Sequence, residues 1–519
     1  MKRRESRPVF KPYIMNQPSL IPPSLDEIIP EGHIVRVVNE AIDQIDIDKL
    51  IQKYKGGGTS SYHPRMMLKV LVYAYTQRIY TSRQIAKGLR ENIQFMWISG
   101  RNTPDFRTIN RFRGSRMRGV IEDVFGQVVQ LLREMGLIRL ENYFVDGTKI
   151  EADANKYRVI WAKRTAGYKS KLEQKIHELF EEIEAANEAE EEEYGDKDLE
   201  EMGNGGPINS ELIRERMKEV NERLKREPGN KELKAAEKKL KKDYLPRMEK
   251  YEEQEKTLAG RSSYAKADPD ATCFRMKEDR GSEKPLPLPA YNVQCGTENQ
   301  FIVGFSLHQR AGDTTCFIPH MEHIQANLGI LPVRVVADAG YGSEENYAYL
   351  EKNQLENYVK HNLFHKETTR KYRNNPFVTG NLPYDPQTDS FHCPGQKQLT
   401  FLYTKKVKTD NGYLSQRKVY GCEDCSGCPF RPKCFKARGN RKITVNPQLD
   451  AYRAQANLNL RSEDGIRLRV QRNTDVEAVF GIIKHNRRFR RFHLRGLDKV
   501  STEWGLVCIA HNICKMAAR

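Results

Sequence analysis

Nowhere in the 519 residues is there an apolar run of about 18 residues, the length a bilayer-spanning helix needs. The opening MKRRESRPVFKPY lacks the apolar stretch of a secretory signal, so an intracellular, cytoplasmic chain is expected. Cysteine is sparse: ten in all, half of them gathered in residues 393–434. That excludes a disulfide scaffold and fits a reducing compartment. The glycines at 56–58 lack the Lys-Ser/Thr that follows in a phosphate-cradling loop, so no nucleotide cofactor is expected. Aromatics are few between residues 163 and 260.

What is present is positive charge. With 87 Lys and Arg against 69 Asp and Glu, the formal net charge is +18, which favours a polyanionic partner. Nucleic acid is the commonest such partner and a membrane surface the weaker alternative. Much of the acid sits in one Lys/Glu-rich block, 163–260, which reads as two long antiparallel helices with a hinge at GNGGP, 203–207. Before residue 138 the chain reads as short helices: PRMMLKVLVYAYTQ, then SRQIAKGLREN capped by Thr81 or Ser82, then PDFRTINRFRGSRMRGVIEDVF opening near Asp105. Arg107, Arg111 and Arg113 on the last suggest a helix-turn-helix type DNA reader; the alternative is a bundle with solvated arginines.

Strand-like sequence follows. ENYFVDGTKIEADAN runs apolar residues into Asp146-Gly147, and VRVVADAGYGS does the same into Asp338. AYNVQCGT and FIVGFSLHQ read as an antiparallel pair, and a short strand is expected near YVKHN. The order predicts an α/β core whose strands near 143 and 334 are central in a mixed sheet covered by helices. Asp146 and Asp338 then stand at carboxyl ends of strands, where open sheets bind ligands. In NTDVEAVFGIIKHNRRFRRFHLRG, residues 473–496, Val476, Val479, Phe480 and Ile483 make a helical core face. Glu477 lies beside that face, with Lys484, Arg488 and Arg491 at nearly its angle. Three acids with a cationic stripe suit a pair of Mg2+ (or Mn2+) ions and phosphates. Turn-forming Asp-Gly and a solvated basic helix are the bland alternatives, and Asp153, Asp268 and Asp270 compete for the same role. Cys422, Cys425, Cys428 and Cys434, with Cys393 upstream, suggest a structural metal: zinc first, an iron–sulfur cluster second, free thiols as the alternative. Spacing does not choose which four would bind.

The words VDGTKIEADAN, DPDATCFRMK, YNVQ, VVADAGYGS and VEAVFGIIKHNRRFRRFHLRGLDKV with AHNICK, preceded by SYHPRMMLKVLVYAY and DFRTINRFR, resemble the DDE transposases of bacterial insertion sequences. The likeness is closest to the group eleven-eighty-two, among relatives with a Glu-x6-Lys signature, and covers most of the chain apart from the charged block. It implies a ribonuclease-H-like mixed sheet with flanking helices built from residues 139–162, 285–365 and 446–519. To this it adds an N-terminal helical DNA-binding domain (1–138), a charged helical-hairpin insertion (163–284) and a Cys-rich insertion (366–445). It implies that Asp146, Asp338 and Glu477 are catalytic metal ligands, that Lys484 contacts a DNA strand end, and that a homodimer acts on double-stranded terminal repeats and target DNA near the nucleoid. The reaction implied is two-metal cleavage and joining through a free 3′-OH. Relatives often carry Tyr and Arg before the glutamate where this chain has Val470 and Asn473, with Arg469 and Arg472 close by. Two rivals stand beside this reading: a DNA-binding remnant or regulator that does not cut, and a metal-dependent nuclease that does not join.

Overall fold

The computed structural model describes residues 23–54, 61–194, 208–276 and 286–519; the glycines at 56–58 and the GNGGP hinge lie outside them. The chain divides into two compact units, residues 1–112 with 513–519, and residues 113–512. Among the described residues no helix is long and apolar enough to cross a membrane.

The first unit is helical. Its helices Ile34–Asp43, Pro64–Thr76, Ser82–Glu91, Ile93–Ile98 and Phe106–Arg111 bury Val35, Val38, Leu68, Leu71, Ile85 and Leu89. Short polar residues start them: the Thr81 hydroxyl accepts the Gln84 N–H at 3.3 Å and Asp105 accepts that of Thr108 at 2.7 Å. The segment that opens at Asp105 is not continuous. It passes into a π-turn at Phe112–Arg116 and resumes at Ile121–Glu134, after Gly119 adopts a φ of 68° that few side chains tolerate.

The second unit holds strands β1 (Asn142–Glu151), β2 (Val159–Trp161), β3 (Ser263–Ala265), β4 (Thr272–Phe274), β5 (Leu288–Glu298), β6 (Phe301–His308), β7 (Arg334–Ala337) and β8 (Glu356–Val359). A mixed sheet runs β4-β5-β1-β7-β8, with β6 on β5. β1 is antiparallel to β5 and parallel to β7, and β7 is parallel to β8. The two apolar strands expected at the centre are indeed flanked on both sides, which is why Tyr143, Phe144, Val145, Val335, Val336 and Ala337 are all buried. Gly296 is needed for this packing, because a Cβ there would lie 1.7 Å from the Tyr143 ring. Glu298 fastens the start of β1 by accepting the N–H groups of Arg139, Leu140, Glu141 and Asn142 at 2.6–3.3 Å.

Two further layers are inserted. The paired β2 and β3 close a helical arm whose outgoing helix, Ala162–Tyr194, is met by three returning pieces, Ser210–Arg226, Lys231–Lys239 and Leu245–Leu258, rather than by one long helix. They bury a small core of their own around Leu172, Ile176, Ile213, Leu240 and Met248. Beyond β8, the strands β9 (Tyr384–Asp385), β10 (Ser390–His392), β11 (Gln398–Lys408), β12 (Leu414–Cys422) and β13 (Lys442–Val445) form an antiparallel sheet in the order β13-β12-β11-β10-β9.

Candidate active site

The register of the central strands builds the site. Val145 of β1 pairs with Ala337 of β7, and Ala337 with Val359 of β8. The next residue on each strand is charged: Asp146, Asp338 and Lys360. Three side chains that elementary electrostatics would keep in water are thus brought to one end of a buried parallel layer. Asp146 is not at the end of its strand, as the sequence suggests. β1 continues against β5 to Glu151, and what ends after Val145 is its pairing with β7. Further along, Glu151 bridges to Arg491, and Glu151 exchanges backbone hydrogen bonds with Arg490 and Phe492. Between these two pairings, among the described residues, no strand pairs with this edge of β1 at Asp146.

The third acid comes from the helix Glu463–Arg472 and its continuation. The helix widens into a π-turn at Asn473–Glu477, returns to α-form at Ala478–Gly481 and widens again at Ile482–Asn486. Such widenings re-aim side chains and are frequent at functional sites. The first turn is pinned by Asp475, whose buried carboxylate accepts the Thr297 hydroxyl at 2.6 Å and the Gln300 N–H at 2.9 Å. The expected apolar face is present: Val476, Val479, Phe480 and Ile483 are all buried.

One guanidinium links the acids. Arg472, 4% exposed, places Nη2 at 3.1 Å from Asp146 Oδ2 and Nη1 at 2.9 Å from Glu477 Oε1. Asp146 is nearly buried and Glu477 half exposed, with side-chain exposures of 10% and 52%. Asp338 spends one oxygen on the turn that follows, accepting the Gly340 N–H at 2.8 Å. Burial and the neighbouring cations Arg472 and Arg469 pull Lys360 below the usual ammonium range, with Asp338 and Glu477 opposing. Tyr341 is fully buried; burial raises its phenol well above the usual range, and Asp146, Asp313 and Asp338 add to the shift. On the alternate face of β1, Lys149 meets Asp313 at 3.1 Å, and Asn292 and Gln294 donate to the same carboxylate at 2.8 and 3.0 Å. Burial pushes Asp313 up, but Lys149 and these amides outweigh it and hold it below the usual carboxylate range.

The cationic stripe is corrected. The helix stops at Asn486, and Arg488 takes a φ of 56°, so Arg488 and Arg491 are not on the helix that carries Glu477. Lys484 is on it but buried at 9% exposure, Arg488 is exposed, and Arg491 pairs with Asp153 at 2.9 Å. Of the N-terminal arginines, Arg107 and Arg111 are exposed and Arg113 is buried at 2% exposure. The competing Asp268 and Asp270 are structural. The Tyr291 hydroxyl donates to the Asp268 carboxylate, 2.9 Å from both oxygens, Asp268 also accepts the Gly496 N–H at 3.1 Å, and Asp270 accepts the Leu497 N–H at 2.8 Å. Asp153 is taken by Arg491 and Arg495. Cys393, Cys422, Cys425, Cys428 and Cys434 line one pocket in the second sheet.

Among the described residues no three His, Cys, Asp or Glu side chains are already gathered around a point as a metal site. The donor set nonetheless suits a divalent oxygen-seeking cation, because Asp146 and Glu477 already share one cation, a guanidinium, and Asp338 retains an oxygen that no described hydrogen bond uses. In the sequence Arg472 stands out only as lying close to Glu477 where relatives carry an Arg, and Lys360 does not stand out at all. The signal for Lys360 was available, since YVK ends a strand in a charge just as FVD and VAD do.

Comparison with known families separates the chain into matched pieces. A family model described as a transposase DDE domain matches residues 392–517, which include Glu477, Arg472 and all five pocket cysteines. A second, described as a transposase domain, matches residues 23–115, which include Arg107, Arg111 and Arg113. Asp146 and Asp338 lie outside both matches. No curated protein and no solved structure gives a match. Together the two matches support a DDE transposase of the insertion-sequence type.

Proposed function

We propose that the carboxylate site at Asp146, Asp338 and Glu477 cuts the ends of an insertion sequence and joins them to target DNA. The observation that carries the reading is the single guanidinium of Arg472 shared by Asp146 and Glu477, beside an Asp338 brought level with Asp146 by strand register. A site that already stabilises one cation between acids from two elements can exchange it for another. The three carboxylates would hold Mg2+ or Mn2+, which supplies charge neutralisation at the scissile phosphate and at the oxygens that enter and leave it.

This chain's own residues then have distinct tasks. Arg472, released from Glu477, would pair with a phosphate oxygen, as would Lys360 on the strand next to Asp338. Asp475 holds the Glu477 turn against β5 and β6, so that the acid is presented in one orientation. The reaction is an exchange of phosphodiesters. Water attacks phosphorus and the 3′ oxygen of the element leaves; that 3′-OH next attacks a target phosphodiester, forming one P–O bond as one breaks. No nucleotide is consumed. Exposed Arg107, Arg111 and Arg488 are suited to backbone phosphates, and the N-terminal helices to end recognition. The spacing from Glu477 to Lys484 supports membership of the Glu-x6-Lys relatives, including the group eleven-eighty-two. A ribonuclease-H-like core is supported by the mixed sheet order, and a homodimer by the need to cut two ends in concert.

The test is a strand-transfer assay with labelled element ends, a target plasmid and Mg2+. Joined products are expected from the wild-type chain, with end binding but neither nicks nor joints from Glu477→Gln. Nicks without joints would favour a nuclease, and binding alone a regulator. Cleavage surviving Glu477→Gln would remove that residue from the site.

A further inference from the structure

The second sheet carries a pocket that the cutting reaction does not use. Cys393 follows β10 in a tight turn closed by its own N–H to Lys397 and by Gln396 N–H to its carbonyl, each at 2.9 Å. Cys422 ends β12, and the loop that follows returns to β13 past Cys425, Cys428 and Cys434. Gly395 lies between two of the sulfurs: a Cβ there would stand 3.5 Å from Cys428 Sγ and 3.6 Å from Cys393 Sγ. All five thiols are free and line one cavity of about 20 Å³.

Arg441 supplies the independent observation. It is 6% exposed, its Nη1 lies 3.0 Å from Cys434 Sγ, its Nη2 donates to the Phe377 carbonyl at 2.7 Å, and its backbone N–H donates to Cys425 Sγ at 3.3 Å. These are its described partners, and no carboxylate is among them. A buried guanidinium facing neutral thiols is costly, because nothing balances its charge. Facing thiolates, it is stabilised, and N–H groups aimed at sulfur are the contacts that outer-shell residues make to a metal's ligands.

We propose that this pocket binds one zinc ion through four of the five thiolates, Cys425 and Cys434 among them, with Arg441 offsetting the net negative charge. Each ligating thiol gives up its proton as the ion binds. Among the described residues the thiols are not already gathered around one point, so binding the ion requires their side chains to rotate. The run C-x2-C-x2-C-x5-C lacks the C-x3-C-P ending of iron–sulfur runs, which favours one tetrahedral ion over a multi-iron cluster. The loop 423–441 has little apolar core of its own, and a metal would fasten it to the end of β12 and the turn after β10. This reading does not depend on the carboxylate site, so either can fail alone.

The experiment is metal analysis of the full-length chain purified without chelator. One equivalent of zinc per chain is expected, with a thiolate-to-cobalt charge-transfer band after exchange with Co2+. Cys425→Ser and Cys434→Ser should lose the zinc and Cys514→Ser, outside the pocket, should keep it. Arg441→Gln should retain the stoichiometry but yield zinc to a competing chelator about 10–100-fold more readily. Chain that holds no zinc, or iron in its place, would overturn the proposal, as would zinc retained by both serine variants. Should those variants fail to fold, the stoichiometry and cobalt spectrum of the wild-type chain decide it.

Discussion

Two groups of acids in this molecule look alike in sequence and behave differently in structure. Asp268 and Asp270 sit in DPDAT, Asp146 and Asp338 in VDG and ADAG, each an aspartate followed by a small residue or proline. Asp268 is fully buried, with its oxygens occupied by the Tyr291 hydroxyl and a backbone N–H that cannot leave without local unfolding. Asp146, which also accepts the Gly147 N–H at 2.8 Å, and Glu477 instead share one end of an arginine side chain. An acid held by backbone and buried phenol is part of the framework. An acid held by a displaceable cation is available to a ligand.

The comparison breaks most visibly on activity. Asp146→Asn, Asp338→Asn and Glu477→Gln should each lower DNA cleavage by at least about 10²–10³-fold, a loss typical when groups that stabilise transition-state charge are removed. Asp268→Asn should leave cleavage unchanged at permissive temperature; a comparable loss there would merge the two groups.

Stability should show the reverse order. Asp268→Asn disturbs a buried hydrogen-bonded carboxyl and should cost about 1–3 kcal/mol by denaturant titration. The pH dependence has a definite sign. Burial raises the folded Asp268 carboxyl above its ordinary value of 3.8, so its contribution is full below that pH and lost as pH rises through the folded value. The wild-type chain should therefore lose stability relative to Asp268→Asn over that rise.

Arg472 sharpens the contrast further. Arg472→Gln leaves Asp146 and Glu477 facing each other without a cation, so its melting temperature in chelator should fall by roughly 2–4 °C per kcal/mol lost, and Mg2+ should restore more in the variant than in wild type. Equal Mg2+ shifts in both would mean that the guanidinium and the metal do not share a place. The smallest effect expected is at the surface: Arg488→Ala should reduce the slope of log K against log salt for DNA by roughly 0.9 if it meets one phosphate.

Part of this was legible before any coordinates. The apolar runs that end in Asp146 and Asp338 identify buried strands with a charge at a place where charge is costly, and the spacing of Val476, Val479, Phe480 and Ile483 places Glu477 at the rim of a core. The Arg472 bridge was not legible, since it joins residues 326 positions apart from Asp146 through tertiary contact alone. The cationic stripe was misread because periodicity assumes that the helix persists; Arg488 reverses the chain with no glycine or proline to announce it. The helical arm had its breaker in plain view. Glu227-Pro-Gly-Asn230 ends one returning helix and caps the next, with Asn230 accepting the N–H groups of Glu232 and Leu233.

The central claim is that Asp146, Asp338 and Glu477 act on one cation site while Asp268 does not. Titration of Mn2+ followed by electron paramagnetic resonance, with duplex DNA present, tests it most directly. Binding should weaken in Asp146→Asn, Asp338→Asn and Glu477→Gln and match wild type in Asp268→Asn. Wild-type binding in all three carboxylate-site variants, or its loss in Asp268→Asn alone, would contradict the account.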